Sequence, residues 1–192
     1  MLYIEKYILE NSIDEEEREI IGFGLERIKV AITSFVAIAA TGLILGELIE
    51  TLFLVICLLP LRQNAGGYHM KNKWACAICS CVVLVLSVIC IKNIVIARSL
   101  TLVITVLSAL LIFVFSPVGN PNNILDETEK RVYGSRARII CALELLLFFF
   151  LFIADRQIMC GLIMMAELIT GILVVIGFVQ EKINNTRGIE NV

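Results

Sequence analysis

His69 is the only histidine in the chain, and Cys76 follows it by seven residues. A thiolate can attack a carbonyl carbon, and an imidazole has the unperturbed pKa needed to take the thiol proton, so the pair has the composition of a cysteine-protease site. It sits in the stretch Arg62-Gln63-Asn64-Ala65-Gly66-Gly67-Tyr68-His69-Met70-Lys71-Asn72-Lys73-Trp74-Ala75-Cys76. Cys76 falls at the start of an expected helix, near Lys71 and Lys73, where positive potential favours the thiolate. On one straight helix, a seven-residue separation would put both side chains on the same face but about 10 Å apart, too far for proton transfer. The segment must therefore bend, and Gly66-Gly67 permit backbone conformations closed to other residues. Backbone N–H groups at the head of the following helix could then stabilise the oxyanion of a tetrahedral intermediate.

The other six cysteines, Cys57, Cys79, Cys81, Cys90, Cys141 and Cys160, lie inside apolar runs and read as small core residues rather than as a disulfide framework. Cys76 and Cys79 also form a Cys-x-x-Cys pair, which raises a membrane thiol-disulfide oxidoreductase as an alternative; that chemistry would need a second pair on the same side, and Cys141 and Cys160 are poorly placed for it. One histidine among mostly lipid-embedded cysteines leaves too few ligands for zinc, and nothing in the sequence calls for a metal or a cofactor. A non-catalytic transporter or scaffold is the remaining alternative.

The elements that must position this stretch are membrane helices. The 192 residues are 59% hydrophobic and only 18% charged, with a mean hydropathy of +0.92. Apolar runs of roughly 17–25 residues recur without period-2 alternation, and in a bilayer this pattern selects helices over a barrel. The fold class expected is all-α: a polytopic integral membrane protein of about six transmembrane helices, preceded by an amphipathic N-terminal helix. Tyr3, Ile4, Tyr7 and Ile8 share one face of that interfacial segment, and Ser12 with Glu15 suggests a capping box opening a further helix toward the first span. No cleavable signal is read ahead of the first long apolar run. Spans are expected at 28–46, 48–61, 74–91, 99–115, 139–154 and 158–179, with tight hairpins at Gly46–Glu50 and Asp155–Gln157. The chain reads as a single domain: residues 1–27 interfacial, 28–179 a six-span bundle and 180–192 a tail.

All but three of the 16 Lys and Arg fall on the N-terminal segment, the Arg62–Lys73 loop, the Lys130–Arg138 segment and the tail; Lys92, Arg98 and Arg156 fall on the opposite set. Both termini and the His69 loop are therefore expected in the cytoplasm, in a multi-pass protein of the cell membrane. A formal net charge of −2 gives no general affinity for nucleic acid. Glu144 and Glu167 lie within spans, where ionisable groups are costly and often functional; each could line a peptide groove or make a packing contact. Gly161, Gly171 and Gly177 could allow close helix contacts, and Trp74 and Tyr68 suit an interfacial belt or a substrate wall.

The pattern Arg62, Gly66-Gly67-x-His69 and Cys76, set between the second and third of six spans, resembles the accessory gene regulator B (AgrB) family, membrane endopeptidases of Gram-positive quorum sensing. The similarity covers the whole chain, including a Pro117/Pro121-Asn122 loop before a basic segment. It implies that Cys76 is the nucleophile and His69 the general base, that Arg62 and Gly67 are needed for activity, and that Glu26 supports the site or contacts substrate. The implied partner is an AgrD-like propeptide, cleaved so that its acidic C-terminal tail leaves and the remainder closes to a thiolactone or lactone through an acyl-enzyme thioester. The implied assembly is a homodimer in the bilayer. Arg62, Lys71, Lys73, Lys130 and Arg131 could attract the acidic tail; the basic residues often found in the Pro117–Asn123 loop of the family are displaced here to Lys130 and Arg131. Gln63, Asn64 and Glu26 are the candidates for orienting His69.

Overall fold

The structure is a computed structural model and describes residues 15–68, 73–119 and 126–189. The interfacial segment before Glu15 and the Ser12 cap lie outside them. The described residues form six helices and no strand: α1 (Glu15–Ile44), α2 (Leu48–Ala65), α3 (Lys73–Asn93), α4 (Arg98–Phe115), α5 (Glu127–Ile153) and α6 (Gln157–Ile189). Four of them are long and apolar enough to cross a bilayer, through Leu48–Ala65, Trp74–Asn93, Arg98–Phe115 and Gln157–Asn184, while α1 carries a shorter apolar stretch, Ile28–Ile44. The apolar end of α5 from residue 139 onward is preceded by about three turns rich in charged residues, and the helix continues through the expected boundary. The chain is thus an all-α membrane protein. Large apolar side chains on its outer faces, among them Ile78, Val82 and Leu86 along α3, are exposed to lipid rather than packed in the interior.

Both expected hairpins form, and by the same device. Glu47 N–H donates to Gly42 O and Gly46 N–H to Leu43 O, a Schellman ending with Gly46 at φ 72°. Arg156 N–H donates to Leu151 O and Asp155 N–H to Phe152 O, the same motif with Asp155, a non-glycine residue, at φ 57°. This second, strained turn is pinned by Arg98, whose guanidinium pairs with Asp155 at 3.1 Å, lies 4.2 Å from the Phe152 ring centroid and donates to Phe152 O. Glu47 and Glu50 of the first hairpin both pair with Lys92 at the end of α3. Asp126 and Glu129 form a capping box at the start of α5.

α6 is the central element: half of its apolar stretch is buried, and it packs against α2, α3, α4 and α5, whereas α1 lies against α2 and α3. One buried cluster, with Leu54, Leu58, Val88, Phe148 and Ile163, fills the half of the bundle near the two hairpins. A second, with Leu61, Ala65, Ile112, Val118, Cys141 and Val174, joins α2, α4, α5 and α6 beneath the loop that leads to His69.

Candidate active site

α2 continues through Pro60, whose missing N–H leaves the Ile56 carbonyl without a ladder donor, and ends at Ala65. Gly66 closes the helix at φ 73° with its N–H on Arg62 O, and Gly67 follows at φ 111°. These two positive φ values turn the chain off the helix axis, as the His69–Cys76 spacing requires. The chain then runs between two walls. On one side Val118 N–H donates to Ala65 O at 3.1 Å and Gly66 lies parallel to Val118; a Cβ on Gly66 would stand 2.1 Å from Val118 O. On the other, Tyr68 N–H donates to Leu173 O of α6 at 3.0 Å, and a Cβ on Gly67 would stand 2.7 Å from that oxygen. Both glycines are thus required by space as well as by backbone angle.

Arg62, in the last turn of α2, reaches over this segment and donates from Nη2 to Tyr68 O at 3.3 Å. Tyr68 is therefore held by its N–H from α6 and by its carbonyl from α2, and that carbonyl belongs to the peptide group that joins it to His69. The Arg62 charge is also within electrostatic reach of Cys76 and Cys79. Cys76 lies in the first turn of α3, half-buried, while Cys79 one turn on is exposed; none of the seven cysteines is in a disulfide. Trp74, exposed by 53% at the head of the same helix, suits the membrane interface. The structure thus brings Arg62, Gly67 and Cys76 to one end of the bundle. His69, Lys71 and most of the Pro117–Asn123 loop lie outside the described residues, as do the side chains of Glu26 on α1 and Lys73 at the start of α3. Of the candidates for orienting His69, Asn64 spends its Nδ2 on Pro60 O at 2.8 Å, and Gln63 is exposed.

Lys130 and Arg131 stand on the first turns of α5, where Lys130 pairs with Glu127 at 3.4 Å. With Arg138 and Phe113 they line an open crevice of about 720 Å³ between α4 and α5. Glu144 and Glu167 lie elsewhere, inside the bundle. Glu167 is fully buried and Glu144 nearly so, Cys141 Sγ approaches Glu167 Oε1 at 3.9 Å, and one oxygen of each carboxyl has no partner among the described residues. Among those residues no group of His, Cys, Asp and Glu is arranged to hold a metal ion. Sequence reasoning did not find Leu173 or Val118 as contacts of the loop. Their contribution is a backbone carbonyl and a backbone edge, which leave no trace in residue type.

Residues 2–176 match the family model described as Accessory gene regulator B. The chain belongs to the accessory gene regulator B family. AgrB-like protein 2 of Clostridium perfringens (strain 13 / Type A) is 26% identical over an alignment of 137 residues that covers 68% of this chain and 64% of that protein. An AgrB-like protein of Clostridium perfringens (strain SM101 / Type A) matches with the same identity and coverage. Protein FsrB of Enterococcus faecalis (strain ATCC 47077 / OG1RF) is 37% identical over 60 residues, 31% of this chain and 25% of that one. The chain thus spans less than two thirds of the length of these relatives. No solved structure matches it. Membership in AgrB ties the chain to accessory gene regulator quorum sensing.

Proposed function

We propose that this protein is a membrane cysteine endopeptidase that removes the C-terminal tail of an AgrD-like propeptide and closes the remainder to a thiolactone or lactone. The observation that carries the reading is the clamp on Tyr68: the peptide group leading into the chain's only histidine is held by Arg62 of α2, which is also within electrostatic reach of Cys76. Cys76 Sγ attacks the scissile carbonyl while His69 accepts the thiol proton and passes it to the leaving amine. The C–N bond breaks, the tail departs with a free amino group, and the N-terminal part stays on Cys76 as a thioester. A cysteine thiol or serine hydroxyl within the peptide then attacks that thioester, forms the ring and releases Cys76 as a thiol. No oxidant or metal enters the balance. A site at the membrane boundary limits the water that would otherwise hydrolyse the acyl-enzyme.

Arg131, Arg138 and Lys130 along the crevice between α4 and α5 offer positive charge for the acidic tail. With the His69 loop and both termini in the cytoplasm, a propeptide made there meets the site directly. A homodimer is the assembly this reading carries.

The test is mass spectrometry of the propeptide co-expressed with the wild-type protein, Cys76→Ala or His69→Ala. Wild type should yield an N-terminal product one water lighter than the linear acid, and neither variant should cleave. Equal processing by both variants would end the Cys–His mechanism.

A further inference from the structure

Leu173 and Gly177 are one turn apart on α6, on the face that receives the His69 loop. In an unbroken helix Leu173 O accepts the N–H of residue 177, and a side chain at residue 177 would lean back over the turn that carries that oxygen. Gly177 has none, and the loop backbone fills the space. A Cβ at Gly177 would stand 2.9 Å from Gly67 C, Gly67 Cα and Tyr68 N. Those are main-chain atoms, which cannot turn aside as a side-chain tip can. The other glycines of α6 differ. At Gly161 a Cβ would meet only the Ile91 side chain, and at Gly171 it would stand 3.4 Å from Ser108 O, close to ordinary contact.

Building on the reading of His69 and Cys76 as the reacting pair, we infer that Gly177 is a positioning residue for the reaction, because it leaves Leu173 O uncovered so that α6 can hold Tyr68 N–H and fix the chain's entry into His69. Arg62 completes the grip from the opposite side, through Tyr68 O at 3.3 Å. Two helices distant in sequence then hold one peptide segment by its donor and its acceptor. A methyl group at residue 177 pushes the segment off α6, breaks the Tyr68–Leu173 bond and displaces the imidazole relative to Cys76. Such a displacement acts on the chemical step and not on propeptide affinity.

The full-length protein is compared in membranes as wild type, Gly177→Ala, Gly171→Ala and His69→Ala. Two readouts are taken: kcat and KM for the propeptide, and iodoacetamide labelling followed separately for each cysteine-containing peptide. Gly177→Ala should lower kcat by about 100-fold, the scale of an ångström-level misplacement, with KM little changed, while Gly171→Ala stays near wild type. Cys76 labelling in Gly177→Ala should slow to the rate seen in His69→Ala, and buried Cys57 and Cys141 should stay unlabelled. Normal kcat and Cys76 labelling in Gly177→Ala, with His69→Ala slowed, would overturn the role of Gly177 alone. Loss of kcat together with labelling of Cys57 and Cys141 would mark general loosening and would also overturn it. If Cys76 labelling ignored His69→Ala in the parent protein, the reacting pair would fall, and this inference with it. Hydrogen exchange on the wild type needs no variant: the Tyr68 amide should be protected like the core of α6, and rapid exchange there would contradict the clamp.

Discussion

Arg62 meets Tyr68 O with a guanidinium nitrogen at the end of a rigid, planar fork. An ammonium keeps the charge and loses that geometry. Arg62→Lys should therefore leave expression and membrane insertion intact and lower kcat by about 10- to 100-fold, measured as propeptide turnover in vesicles; unchanged turnover would mean that charge alone suffices. Gly67 faces a stricter limit. Its φ of 111° and the 2.7 Å approach of Leu173 O to any Cβ exclude even alanine, so Gly67→Ala should abolish processing while the helix content measured by circular dichroism stays the same. Gly66-Gly67 were legible as a bend before the only histidine, whereas the need for Arg62 and for Gly67 in the reaction came from the resemblance to the AgrB family and not from their residue types. Leu173 and Gly177 were not legible as parts of the site, since an apolar residue and a glycine within a span carry no chemical signature.

At the scale of the elements, six helices and both hairpins follow from apolar run length and from the charged residues that interrupt the runs; four of the six helices are long and apolar enough to cross a bilayer, and most ends move by only a few residues. α1, α5 and α6 extend furthest past the expected spans, because polar turns outside the bilayer continue a helix without any apolar run to mark them. The order in which helices pack was not readable. Nearly uniform apolar faces give no preference for a neighbour, and small residues and buried polar groups decide it instead. Glu167 is such a group, fully buried on α6 beside Cys141 of α5. Glu167→Gln keeps shape and polarity and should preserve the fold, whereas Glu167→Lys forces a longer, cationic side chain into a fully buried position. Thermal unfolding in detergent should leave the first near wild type and lower the second sharply; equal behaviour would argue that the site is solvated.

For the whole molecule, the account requires the Gly66–Tyr68 end of the bundle and the start of α5 to share the cytoplasmic side, and the Lys92–Arg98 and Asp155–Arg156 turns to lie outside. In a background with Cys79 replaced by Ser, Val95→Cys, at a position 96% exposed, should react with a membrane-impermeant maleimide added to intact cells. Ser135→Cys, on the exposed side of α5, should react only after the cells are opened. The reverse pattern would put the reacting loop on the wrong side for a propeptide made in the cytosol. The central claim is a covalent intermediate on Cys76, and it is tested most directly by intact-protein mass spectrometry with a propeptide whose ring-closing Cys or Ser is replaced by Ala. With the second nucleophile gone, the N-terminal fragment should accumulate on the enzyme at Cys76, adding the mass of the linear acid less one water, and hydroxylamine should release it. Release of the tail with no adduct, or with the adduct mapped to Cys79, would contradict the mechanism.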